Sequence, residues 1–127
     1  MPESQTTFST VERGGHRFIE ALPAVRLLNT ADDATLVIEA CFSNGTHSVL
    51  LYAGNFTEQF FDLSSRLAGA VLQKLRNYRI RLALVCPPGT VAFSSRFGEM
   101  ASEERETGYF RIFEAADPAR DWLASSR

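Results

Sequence analysis

The chain has few of the residues from which reactive or metal-binding sites are most often built. Its 127 residues include only two cysteines, two histidines and one tryptophan, and of its 13 basic residues Lys74 alone is lysine. Cys41 and Cys86 lie far apart within apolar patterns, which suits buried thiols better than a disulfide framework. A zinc site of Cys41, His47 and Cys86 can be written down, but neither His16 nor His47 stands at a metal-ligand spacing, so no metal and no cofactor is expected. No apolar run approaches the ~20 residues needed to span a bilayer. The start, MPESQTTFST, has neither the basic residues nor the apolar stretch of a signal peptide, so the expected location is cytoplasmic, without membrane attachment. A net charge of −2 argues against a nucleic-acid binder. No P-loop, dinucleotide fingerprint, nucleophile elbow or histidine-based triad is present, so no catalytic residue is assigned.

What is present is ordinary for one folded domain: 45% hydrophobic residues, 22% charged residues and ten phenylalanines. Residues 1–6 are polar and read as a flexible N-terminus, leaving 7–124 as a single domain. TFSTV (7–11) and HRFIEAL (16–22) read as strands joined across Gly14-Gly15, which supply the positive φ of a tight hairpin. AVRLL, after Pro23, reads as short and extended. TADDATLVIEACF (30–42) reads as a helix with Thr30 and Asp33 as its capping box, ended at Asn44 or Gly45. HSVLLYA (47–53) and IRLALVC (80–86) are continuous apolar runs, the pattern of strands buried on both faces. Between them a helix is expected from about Ser64 to Asn77, with Gly69 at a close backbone approach. A helix over 91–106, a strand at 109–113 and a closing helix capped by Asp117, with Pro118 first, complete the order. The expected fold is therefore α/β. A mixed sheet of about five strands opens with an antiparallel hairpin and continues with alternating helices and parallel strands.

The stretch QFFDLSSRLAGAVLQKLRNY (59–78) carries the candidate site. Asp62 or Ser64 suits a helix cap, and a phosphate on Ser64 or Ser65 would meet free helix N–H groups and the nearby Arg66. Its loop follows a buried strand and so belongs at the carboxyl edge of the sheet, where ligands of open α/β folds gather. Phe56, Phe60 and Phe61 are candidates to line an apolar pocket for a small molecule or acyl chain. Asp62 with Glu58 is the pair that an enzyme would use as acid and base. From Leu63 to Gly98 there is no acid, while Arg66, Lys74, Arg76, Arg79, Arg81 and Arg96 all occur. A solvated face with dipole-matched arginines is the plainer reading of that run, and an anion-binding patch the alternative.

The run from Phe60 to Val85 resembles the signature of an uncharacterised bacterial family, the domain of unknown function numbered 4180. The elements that carry the resemblance are Phe60, Phe61, Asp62, Leu63, Ser65, Ala68, Gly69, Leu72, Gln73, Lys74, Asn77 and Tyr78, with a weaker echo in RIFEAADPARDWL. Arg66 stands where the pattern leads one to expect glycine, and Cys86-Pro87 where it leads one to expect Gly-Asp. The element order is also similar, more distantly, to the STAS or SpoIIAA-like fold of anti-sigma-factor antagonists. That likeness implies a phosphorylated serine near the start of the second helix, at Ser64 or Ser65, and a protein partner. The leading expectation is accordingly a non-enzymatic regulatory or protein-interaction module, with an unidentified protein or a second copy of the chain as partner. A small-molecule or acyl-chain binder near residues 56–61 is the alternative, and a small enzyme comes third.

Overall fold

The structure, a computed structural model, describes residues 8–23, 25–62, 66–89 and 95–125. β1 (Phe8–Arg13) and β2 (His16–Ala21) pair antiparallel with Arg13 opposite His16. The two-residue turn holds Gly14 and Gly15 at φ 61° and 86°, the left-handed pair that lets the strands keep their twist. β3 (Ser48–Tyr52), β4 (Arg81–Val85) and β5 (Phe110–Phe113) follow, each parallel to the strand before it, in the spatial order β1-β2-β3-β4-β5. The expected mixed α/β sheet is thus observed, with the first strand extended to Arg13.

Sequential parallel strands with right-handed crossovers put every connecting helix on the same face. α1 (Ala34–Ser43), α2 (Leu67–Asn77) and α3 (Ser95–Thr107) share one core with Ile19, Val49, Leu51, Leu82 and Leu84. α4 (Ala116–Ala124), which follows the last strand, folds back over the other face onto Phe18, Leu50, Ala83 and Val85. Side chains alternate along each central strand between these two cores, which is why their sequences show no polar alternation. The small side chains of Ala83 and Ala119 belong to the core on the α4 side.

Several local expectations shift. The first helix opens with a 3-10 turn at Ala31–Asp33, and Asp33 Oδ2 accepts from the N–H groups of Asn29 and Thr30 at 2.9 and 3.0 Å. α2 starts at Leu67 rather than near Ser64, because Arg66 at its N-cap has φ 65° and a left-handed residue cannot continue a right-handed helix. The N-cap position thus falls to Arg66 rather than Asp62, and Ser64 lies outside the described residues. α4 begins two residues early, with Ala115 at the cap, so Asp117 and Pro118 fall within the first turn. Proline is tolerated there because the first N–H groups have no intrahelical acceptor. The start expected for α3, at 91–94, lies outside the described residues.

The connection from β2 to α1 is not a strand. It is held by Asn55, which is completely buried in a 3-10 turn at Ala53–Asn55 after β3. The Asn55 amide donates to the carbonyls of Leu22 and Val25 at 2.8 and 2.7 Å, and its Oδ1 accepts from Tyr52 N–H at 2.7 Å. Its backbone carbonyl accepts from the N–H groups of Leu27 and Leu28, both at 2.9 Å, beside an isolated bridge between Leu28 and Phe56. Two chain segments with no ladder between them are tied together by this one residue.

The close backbone approach is likewise at Gly54, not Gly69. A Cβ on Gly54 would stand 2.6 Å from the Pro23 carbonyl oxygen, whereas one on Gly69 would meet nothing within 4 Å. Gly69→Ala should therefore stabilise the domain by about 0.5–1 kcal/mol, and Gly54→Ala should destabilise it by about 1–3 kcal/mol. Urea midpoints that moved the same way for both would contradict this packing. Asn55→Ala removes the partners of the Val25 carbonyl and the Tyr52 N–H and leaves the Leu22 carbonyl only a 3.4 Å bond from Val25 N–H, so its expected cost in the same measurement is about 2–4 kcal/mol.

Candidate functional site at the amino edge of the sheet

Of the residues expected to form a site, the three phenylalanines come together in the core. Phe56, Phe60 and Phe61 are buried and pack on one another, with Phe56 stacked on Phe60 at 4.0 Å between ring centroids and Phe97 meeting Phe60 and Phe61 at 5.7 and 5.5 Å. A ligand seated among them would have to part rings already in contact. Asp62 and Arg66 are exposed at the carboxyl edge of the sheet, as expected of that loop. Ser64, Ser65 and the side chains of Glu58 and Arg96 lie outside the described residues. Cys41 is on the buried face of α1, Cys86 follows β4 at the carboxyl edge and His47 precedes β3 at the other, so the trio written for zinc is not brought together. Burial pushes the Cys41 thiol up to about 12 and raises Cys86 as well, which keeps both protonated and poorly nucleophilic.

The larger of the two described cavities, about 480 Å³, opens at the amino edge of the parallel strands. Its lining includes His47 and Ser48 at the start of β3, Arg79 and Arg81 at the start of β4, and Tyr109 before β5. Trp122 of α4 closes it from the opposite face. The Arg81 guanidinium lies 4.3 Å from the Trp122 ring centroid and donates to the carbonyls of Trp122 and Ser125 at 3.1 and 3.3 Å. Arg81 thus caps the last turn of α4 and is held in one place.

Beside the cavity stands an exposed aromatic group. Phe42, in the last turn of α1, and Tyr78, at the end of α2, are 48% and 47% exposed, and their rings meet edge to face at 6.0 Å. His47 packs against Phe42 at 5.4 Å, so the rings and the cavity are continuous. Sequence patterning missed this cluster because Phe42 and Tyr78 read as element ends. Their only signal was that each fell off the apolar stripe of its helix.

The acid-free run of cations resolves into individual roles. Arg76 holds Glu104 through two 2.7 Å bonds and links α2 to α3, while Lys74 lies 3.7 Å from Asp32. Both are taken up by acids from outside the run.

On the α4 face, Glu20 accepts from Arg120 Nε at 3.0 Å, from a second Arg120 nitrogen at 2.7 Å and from the Tyr52 hydroxyl at 2.8 Å. The Arg120 bonds hold the Glu20 carboxyl below its ordinary range against the opposing effect of burial, whereas burial and the same Glu20 contact push Tyr52 up. A carboxylate whose folded value is lowered adds stability that is present above its ordinary value, near pH ~4.3, and is lost as pH falls through the folded value. Glu20→Gln should therefore flatten the acid side of a plot of melting temperature against pH. Parallel acid limbs for variant and wild type would show that this network does not couple α4 to the sheet.

No curated protein and no solved structure gives a significant match to the chain. One family profile does match, over residues 13–123, from the last residue of β1 to the final turns of α4. With β2 to β5, α1 to α3 and all but the last residue of α4 inside that match, the chain belongs to the family described as a domain of unknown function, DUF4180.

Proposed function

We propose that the chain is a non-enzymatic interaction module, and that a protein partner docks on the amino edge of its parallel sheet. The observation that carries this reading is the pair of exposed rings, Phe42 and Tyr78, packed together with His47 at the mouth of the cavity. Large rings left in water at adjoining helix ends are the groups that anchor protein interfaces when a partner covers them. Arg79 beside them gives the surface a positive character that favours an acidic counterpart. The likeness of the element order to STAS domains supports the same class of function. The regulatory character of the module belongs to this proposal too: a domain that binds without transforming its partner acts by changing what that partner does.

Both rings are half exposed, so Phe42→Gln with Tyr78→Gln should leave the fold intact, with a stability change of about 1 kcal/mol or less. Capture from a native lysate, quantified by mass spectrometry, should yield a partner that wild type retains and the double variant loses. Equal capture by both proteins would refute the docking face. Sedimentation of the purified chain separates a second copy from a different protein: self-association abolished by the same two substitutions would make the partner another copy.

A further inference from the structure

Three helix-to-strand turns meet at the amino edge, and each places one residue in the left-handed region. After α1 that residue is Gly45, at φ 69°, and after α3 it is Gly108, at φ 81°. After α2 it is Arg79, at φ 60°. The turns after α1 and α2 are the same motif. Gly45 N–H and Thr46 N–H return to Phe42 and Cys41 at 3.2 and 3.0 Å, as Arg79 N–H and Ile80 N–H return to Arg76 and Leu75 at 2.9 and 3.0 Å. Glycine takes this conformation without cost, but the Cβ of arginine crowds the carbonyl that follows. The backbone calls for glycine, and the sequence places a long cation there.

Packing does not account for that choice. Arg79 is exposed, and among the described residues no carboxylate forms an ion pair with it. The neighbouring cations are occupied: Arg76 by Glu104, Lys74 by Asp32, Arg81 by Trp122 and the end of α4. Arg79 instead lines the cavity of about 480 Å³ together with His47, Arg81 and Tyr109. Strain kept at a cavity wall points to a task for the side chain that keeps it.

We infer that this cavity binds an oxyanion, a phosphate or carboxylate group, with Arg79 as its charged donor and Arg81 as a second positive charge already fixed in position. A guanidinium fork matches the two oxygens of either group. The carbonyl ends of α1, α2 and α3 point toward this edge and oppose an anion, so the attraction has to come from the arginines. The inference rests on the proposed reading of this edge as a binding face only for its location; the ligand is a small molecule and no protein partner enters the test.

The test uses sodium phosphate and sodium succinate as separate probes, each added to the isotope-labelled chain at matched ionic strength with sodium chloride as control. Amide resonances of His47, Gly108 and Tyr109 should shift saturably in wild type with one probe or both, which distinguishes a phosphate site from a carboxylate site. Affinity should fall about tenfold or more in both Arg79→Gly and Arg79→Asn, two residues that accept the left-handed conformation. Without ligand, Arg79→Gly should melt about 3–6 °C higher than wild type as the strain is released. Shifts that follow sodium chloride alone, shifts spread over other surface arginines, or variants that titrate like wild type would overturn the site. So would an unchanged melting temperature for Arg79→Gly, because the strain argument would then be wrong. Failure here leaves the capture result for the Phe42 and Tyr78 variant standing, and failure there leaves this one standing.

Discussion

The buried side chain of Asn55 is the interaction on which the arrangement of the carboxyl edge depends. That side chain meets the backbone of Leu22, Val25 and Tyr52, and the residue's own backbone carbonyl accepts from Leu27 and Leu28, so the segment leaving β2 is fastened to the turn leaving β3. An unpaired amide at such depth would be costly, and a fully paired one specifies a single geometry. That geometry puts Leu28 beside Phe56, and Phe56 then stacks on Phe60 within the aromatic cluster. Gly54 allows the approach, since any side chain there would strike the Pro23 carbonyl.

The two edges of the sheet consequently differ in kind. At the carboxyl edge the rings of Phe56, Phe60, Phe61 and Phe97 point inward and satisfy one another. At the amino edge, the winding that puts three helices on one face also brings their carbonyl ends together. Turns there are tight, and a cavity opens where β3, β4 and β5 begin. Arg81 answers the end of α4, which leaves Arg79 and the Phe42–Tyr78 pair turned outward. The reading of this edge as a binding face follows from that contrast between groups consumed by the fold and groups left over from it.

Much of the architecture was legible in the order of residues. Gly14-Gly15 between two β-leaning runs announced the hairpin, and the unbroken apolar stretches of β3 and β4 announced strands covered on both sides. The stripe of Ala68, Val71, Leu72 and Leu75 identified the buried face of α2. Such signals are local, because the periods of helix and strand are written within a few residues. Cap positions proved less legible: Arg66 and Ala115 occupy N-caps that their residue types do not favour, and tertiary contacts override that weak local preference.

The residues by themselves determined an α/β fold with buried thiols, an antiparallel hairpin and helices alternating with strands, since composition and periodicity decide which surfaces must be hidden. Only the tertiary structure decided which polar residues are structural and which are spare. Arg76, Arg79 and Arg81 are alike as letters in one basic run, yet one ties two helices, one strains its backbone at a cavity wall and one caps a distant helix. Those fates depend on Glu104 and Trp122, brought close from far along the chain by the winding of the sheet. Asn55 was silent for the same reason, because its partners are carbonyls of another segment and no pattern within its own stretch records them.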